Sequence, residues 1–338
     1  MSTPSKSVPS IGPLLLSRSD VAAFLAMPDC IQAVEEAFQL FGEGKTGKPG
    51  VLGVHGEGGG FHIKAAIYSD AKPYFVMKVN GNFPGNPSKH NLPTIQGVLV
   101  LADARNGTPL AIMDSAEITN LRTGAATGVA AKYLARKDSS TALIIGCGVQ
   151  AKTQLQAVQS ALPLRKVFAY GIDHVQAKQF AERMSRELKI EVEAVADFRS
   201  VIAKCDICVT CTTSQKWFLG KDDVPDGMFV AAVGADNEHK QELQPELFAR
   251  AKVVTDVTDQ CAVMGDLHHA LESGACTRDD VYAELGEVVA GRKPGRTSAT
   301  EITIFDSTGM ALQDVASAIR VYEAALATPS ARHFSIAT

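Results

Sequence analysis

The chain has 338 residues, 46% of them hydrophobic and 21% charged, a globular balance that excludes global disorder and is long enough for two domains with separate cores. The formal net charge is −4, with Lys and Arg scattered and no basic stripe alternating with aromatics, which argues against nucleic acid as a partner. No apolar run approaches the ~20 residues needed to cross a bilayer, and Met1 to Pro13 lacks the charged and apolar regions of a signal peptide, so a cytoplasmic protein without membrane association is expected.

Pro28 suits the first turn of a helix over residues 29–41, closed by Gly42, with Ile31, Val34, Ala37, Phe38 and Phe41 at helical spacing. From Gly50 to Asp103 the pattern changes to short runs broken by Gly and Pro. FHIKAAIY, YFVMKVNG and TIQGVLVLAD read as strands of an antiparallel or mixed sheet, with GEGGG as a hairpin turn and NFPGNPSKHNLP as a loop. His62 and Lys64 then share one strand face, either bordering a pocket or solvated. Residues 115–135 return to helix. Beyond them the short apolar strands in SSTALIIGCGVQA, RKVFAYG, KCDICVTCTT, GMFVAAVGA, AKVVTDV and EITIFDS alternate with helical or loop segments. That alternation predicts a parallel sheet covered on both faces, followed by a helix from Ala311 to Leu326.

The expected fold is therefore α/β. A Rossmann doubly wound parallel sheet over residues 129–310 is joined to an α+β substrate-binding and dimerisation domain over 1–128, completed by 311–338.

Seven cysteines are too few for a disulfide framework. Cys205, Cys208 and Cys211 are spaced like cluster ligands, but position 215 is Gln, and a period of three along a strand scatters thiols over both faces. They read as buried structural residues. Adjacent His268 and His269 are expected to point apart, and no metal is expected.

Gly146-Cys147-Gly148-Val149-Gln150-Ala151 is a G-x-G-x-x-A turn between a strand and a helix, the context in which such a turn binds a dinucleotide. Gly146 permits the tight turn, Gly148 lets backbone approach a pyrophosphate, Ala151 allows close helix–strand packing, and the free N–H groups of Val149 and Gln150 face the phosphates. A ligand-free βα turn is the alternative. Gly171, at the end of the second strand where a ribose-binding carboxylate stands in NAD sites, tips the choice between NADP and NAD toward NADPH. Asp173, Thr210 and Thr212 complete the cofactor candidates, and His174 and Lys178 are weaker ones for a 2′-phosphate.

VMKVNGNFPGNP, NLPTIQGVLVLAD, ITNLRTGAATGVAAKYLA, GCGVQA, VGADNEHKQEL and FDSTGMALQD follow the order and spacing of the ornithine cyclodeaminase/μ-crystallin family, which the chain resembles over nearly its whole length. The resemblance implies a homodimer that acts on small amino or imino acids. It implies that Lys78 is the active-site lysine, that Arg122 holds the substrate carboxylate with Thr94 nearby, and that Asp236 is the acid/base aspartate. Lys48 falls where the family has a second carboxylate-binding arginine, and Ser307, Gly309 and Gln313 match the segment near the nicotinamide.

The residue types suit that chemistry independently. Arg122 offers a planar fork for a carboxylate. Lys78, inside an apolar strand, is costly unless partnered or functional, with snorkelling to solvent as the alternative. Asp236 ends a strand where open α/β sheets bind ligands, and a turn aspartate is its bland reading. The leading expectation is NAD(P)H-dependent reduction of a cyclic imino acid such as Δ1-pyrroline-2-carboxylate to L-proline. Ornithine cyclodeamination, alanine or other amino-acid dehydrogenation, and non-catalytic ligand binding remain open.

Overall fold

The computed structural model describes residues 12–47, 49–68, 72–328 and 332–334. In chain order the elements are β1 (Leu14–Leu16), α1 (Arg18–Phe24), α2 (Met27–Gly42), β2 (Gly50–Gly56), β3 (Gly59–Tyr68), β4 (Tyr74–Asn82), α3 (Asn86–His90), β5 (Ile95–Asp103), β6 (Pro109–Asp114) and α4 (Ser115–Leu134). There follow β7 (Thr141–Ile145), α5 (Val149–Ala161), β8 (Lys166–Tyr170), α6 (His174–Leu188), β9 (Glu191–Ala194), β10 (Ile207–Thr210), β11 (Gln215–Leu219), β12 (Phe229–Ala232) and β13 (Gln241–Leu243). The chain ends with α7 (Pro245–Phe248), β14 (Lys252–Thr255), α8 (Thr258–Met264), α9 (Asp266–Glu272), β15 (Val281–Glu284), α10 (Leu285–Val289), β16 (Thr303–Asp306) and α11 (Ala311–Leu326).

The chain forms two compact units. The first takes Met1–Ala26, Thr46–Thr119 and Asp314–Thr338, and the second takes Met27–Lys45 and Asn120–Gln313. Helices α4 and α11 each begin in one unit and end in the other. The sequence reading put α2 and residues 120–128 with the first unit, whereas their contacts are with the second. Gly42 of α2 lies so close to Gly286 of α10 that a β-carbon would sit 1.9 Å from the Gly286 carbonyl oxygen, and Ile31 packs on Gly128 of α4. Bare backbone at these glycines lets three helices approach more closely than side chains permit.

The first unit holds a six-stranded sheet in the order β1-β6-β5-β4-β3-β2, antiparallel except for the β1–β6 pair. The hairpin read from GEGGG is β2–β3, closed where Gly56 pairs with Gly59. The loop expected over NFPGNPSKHNLP contains the short helix α3. Along β4 the buried residues are Tyr74, Val76, Lys78 and Asn80, with half-buried ones between them, so the two-residue period turns a lysine and an asparagine to the core face. Helix α11 lies along that face, with Tyr322 edge-on to Tyr74 and Asp314 against Lys78. Val51, Leu52, Val54, Phe61, Ile67, Ile95 and Val98 of the same sheet are exposed.

The second unit holds an eight-stranded, wholly parallel sheet in the order β15-β14-β16-β12-β10-β7-β8-β9. Successive connections run outward from β7 in opposite directions, to β8 and later to β10, which makes the carboxyl ends of β7 and β10 a topological switch point. Strands β10, β12 and β16 are buried at every residue, as continuous apolar runs in a doubly covered sheet should be.

Candidate functional site

The sharp turn after β7 is built as its glycines require. Gly146 adopts φ +102°, and a β-carbon there would meet the Cys211 carbonyl oxygen at 2.9 Å. Gly148 caps α5 without a side-chain hydrogen bond, and a β-carbon on it would meet nothing within 4 Å. Ala151 is fully buried against the sheet while Val149 is 74% exposed. A helix start with bare backbone and open space in front is an anion-binding geometry, so the turn fits a dinucleotide pyrophosphate. The Gln150 side chain turns back to Asn120 on α4 at 3.2 Å, leaving only its backbone for a ligand.

Two cofactor candidates have scaffold roles. Thr210 is fully buried and its hydroxyl donates to Glu242 at 2.7 Å, so it braces the turn from below and presents nothing to a ligand. Asp173 Oδ1 accepts the Val175 and Gln176 N–H groups at 2.9 and 3.1 Å as the N-cap of α6. Gly171 has its nearest neighbours at 3.6 Å from a β-carbon position, so a side chain would fit where none is present.

Beneath the carboxyl strand ends lie four buried acids absent from the sequence reading. Glu242 accepts from Thr210, from the Thr212 N–H at 2.6 Å and from the Gly234 N–H at 2.9 Å. Asp266 Oδ1 accepts the N–H groups of Glu242 and Leu243, and Asp306 accepts that of Leu267 at 2.8 Å. Burial pushes the Asp266 carboxyl well above its usual range and that of Asp306 up to about 8, with neighbouring acids adding to both. Asp256 holds the segment after β16, accepting from the Ser307 hydroxyl at 2.8 Å and the Gly309 N–H at 2.6 Å. These carboxylates fix loops through backbone N–H groups distant in sequence, and no local motif announces such partners.

Arg122 is 6% exposed on α4 and donates to Gln313 Oε1 at 3.0 Å. Gly309 takes φ +85°, and a β-carbon there would lie 2.4 Å from Arg122 Nη1, so the guanidinium rests on bare backbone. Arg122 thus lies against Gly309 and Gln313, two of the three residues expected near the nicotinamide, while Ser307 is held by Asp256.

In the first unit Lys78 is 3% exposed, donating to Asp314 Oδ1 at 2.9 Å and Thr119 Oγ1 at 3.1 Å. It is buried and paired, so the snorkelling reading is set aside. Asn80 accepts the Ser115 hydroxyl at 2.6 Å, and Gly97 leaves room for both, since a β-carbon there would meet each within 2.7 Å. Asp314, the last letter of FDSTGMALQD, was not singled out. The cost of burying Lys78 was the available signal that a carboxylate had to accompany it.

The remaining candidates are more open. Thr94 is half-buried ahead of β5 and its carbonyl accepts the Phe83 N–H, while Lys48 lies outside the described residues. Asp236 is 49% exposed in the β12–β13 connection and paired with Lys240 at 2.7 Å. His62 is exposed and Lys64 half-buried on β3. Cys205 and Cys208 are buried as expected and Cys211 is half-buried, with burial pushing the Cys205 thiol up to about 12. His268 and His269 do not diverge. Their rings stand edge to face 5.1 Å apart, and with Glu272 they bring potential ligand atoms within 4.8 Å of one another. Each ring is turned by a hydrogen bond to a backbone carbonyl, which the angle between consecutive helix positions does not foresee.

Alanine dehydrogenase of Archaeoglobus fulgidus is 40% identical over 314 residues, 93% of this chain and 95% of that protein. The structure of an archaeal alanine dehydrogenase dimer with bound NAD superposes with a TM-score of 0.91 at 39% identity, covering 96% of this chain and 99% of that one. Δ1-Pyrroline-2-carboxylate reductase of Thermococcus litoralis, in complex with NADH and L-proline, gives 0.89 at 36% identity, covering 96% and 100%. A profile of the ornithine cyclodeaminase/mu-crystallin family matches residues 12–329, and the chain belongs to that family.

Proposed function

We propose that this protein is an NAD(P)H-dependent reductase of small α-imino acids, with Δ1-pyrroline-2-carboxylate, which would yield L-proline, as the leading substrate. The observation that carries the reading is Arg122. A buried guanidinium braced by Gln313 and resting on Gly309 is a preformed receptor for one carboxylate, set against the segment that Asp256 orders. The bound cofactor would supply the hydride. Arg122 orients the substrate through its carboxylate, and Lys78, charged and held by Asp314 and Thr119, favours electron withdrawal toward the imine nitrogen and relays its proton. Asp236, exchanging Lys240 for substrate, is the alternative relay. The balanced reaction takes imino acid, hydride and proton to amino acid.

Gly146, Gly148, Val149, Gln150, Ala151 and Thr212 would line the pyrophosphate and nicotinamide path. The preference for NADPH over NADH rests on Gly171, which offers no carboxylate to repel a 2′-phosphate. A homodimer formed through the exposed apolar face of the six-stranded sheet and a reducing, cytoplasmic setting for seven free thiols complete the proposal.

A second reading is favoured by the 40% identity to an alanine dehydrogenase, which would make an open-chain imino acid formed from pyruvate and ammonia the substrate. Cofactor oxidation is followed with NADH and NADPH against Δ1-pyrroline-2-carboxylate and against pyruvate plus ammonia. Saturable oxidation whose KM rises at least about tenfold in Arg122→Lys supports the proposal, since a single-point cation cannot reproduce a bidentate fork. Silence with both substrates and both cofactors overturns it.

A further inference from the structure

His268, His269 and Glu272 lie on α9 and hold none of the roles assigned above. Their potential ligand atoms stand within 4.8 Å of one another. His268 Nδ1 faces the Ala262 carbonyl oxygen at 3.3 Å, and His269 Nε2 faces the Lys240 carbonyl oxygen at 2.9 Å. A carbonyl only accepts, so each of these nitrogens carries the hydrogen and the opposite nitrogen of each ring carries the lone pair. For His268 that nitrogen is Nε2, which looks at Glu272 Oε2 across 3.9 Å. Two acceptors facing each other at that distance are stabilised by a positive charge between them. Histidines that ligate metals are oriented in the same manner, the second ring nitrogen donating to a backbone carbonyl.

We propose that His268, His269 and Glu272 form a binding site for a divalent transition-metal ion of the zinc class. Two imidazoles and one carboxylate select such ions over magnesium or calcium, which take oxygen ligands. Three ligands around a tetrahedral ion, with bonds of about 2.0–2.2 Å, stand roughly 3.3–3.5 Å apart. The present spacing, within 4.8 Å, closes to that by small side-chain rotations of the three residues, and Glu272 is free to swing because its side chain is 74% exposed. Solvent completes the coordination sphere. The site goes beyond the reductase reading and does not depend on it. It reaches toward the same loop, because the Lys240 that His269 holds by its carbonyl also holds Asp236 by its ammonium.

The chain carries its own reporter. Trp217, the single tryptophan, lines the same surface depression as His269 and Glu272. Nickel quenches indole fluorescence at short range whereas zinc does not. The full chain is therefore titrated with nickel chloride while Trp217 emission is recorded, and zinc chloride is then added to the nickel-saturated sample. The expected result is saturable quenching that zinc reverses, with the apparent affinity falling at least about tenfold in both His268→Gln and Glu272→Gln. Far-ultraviolet circular dichroism confirms that the variants fold. Linear, unsaturable quenching of the wild type, or the same titration in wild type and both variants, overturns the proposal.

Discussion

Lys78, on the buried face of β4, tolerates its loss of hydration only with Asp314 and Thr119 at 2.9 and 3.1 Å. Removing Lys78 takes the ammonium from a buried carboxylate, so Lys78→Met should destabilise the protein by about 3–5 kcal/mol, while Lys78→Met combined with Asp314→Leu should recover most of that loss. Chemical denaturation of the two singles and the double measures the coupling, and additive losses would show that the pair does not interact as described. The lysine was legible in the sequence because it interrupts an alternating apolar strand. Asp314 was not, since it lies 236 residues away in a helix that sequence pattern alone cannot dock on β4. Arg122 was legible from its Ala- and Gly-rich surroundings, whereas its support by Gln313 and Gly309 emerges only once residues 122 and 309–313 are brought together.

At the scale of elements, the turn from β7 into α5 separates folding from binding. A β-carbon at Gly148 meets no atom within 4 Å, and its φ of −82° suits any residue. Gly148→Ala should therefore leave stability within about 0.5 kcal/mol of wild type while weakening cofactor affinity, because the methyl occupies the space a pyrophosphate needs. Thermal melts and fluorescence titration with NADH test the two halves, and unchanged affinity would remove the phosphates from this turn.

The ends of β16 and α9 carry a second element-scale prediction. The Asp306 carboxyl is pushed up to about 8 by burial, so near neutral pH the folded state retains a proton that the unfolded chain has released. Stability from this group is full below the unfolded value near 3.8, declines as pH rises, and is spent above about 8. Asp306→Asn should flatten the dependence of Tm on pH between about 4 and 8, and an unchanged slope would rule out Asp306 as its source. The apolar central strands were readable because burial on both faces demands continuous runs. Strand β9, with two exposed glutamates in four residues, and three-residue β1 carry too little apolar signal to stand out.

At the scale of the whole molecule, the six-stranded sheet leaves Leu52, Val54, Phe61, Ile67 and Val98 exposed on one face of strands β2, β3 and β5, the face opposite Lys78. An apolar band of that extent marks an association surface. Sedimentation should find a dimer for the wild type and a monomer for Val54→Glu/Phe61→Glu, while a dimeric double variant would move the interface elsewhere. The change in sequence pattern falls near residue 130, whereas the compact units divide between Thr119 and Asn120. The assignment of α2 to the second unit was not legible in the sequence, because it turns on glycine-to-glycine approach between segments more than two hundred residues apart. In the proposed reaction a hydride passes from a nicotinamide to the α-carbon of a small imino acid whose carboxylate Arg122 holds. The direct measurement is mass spectrometry of the amino acid formed from Δ1-pyrroline-2-carboxylate with NADH or NADPH deuterated at nicotinamide C4. The account predicts proline with a single deuterium at Cα, formed by the wild type and strongly reduced in Arg122→Lys; proline without label, or label incorporated equally well by that variant, would contradict it.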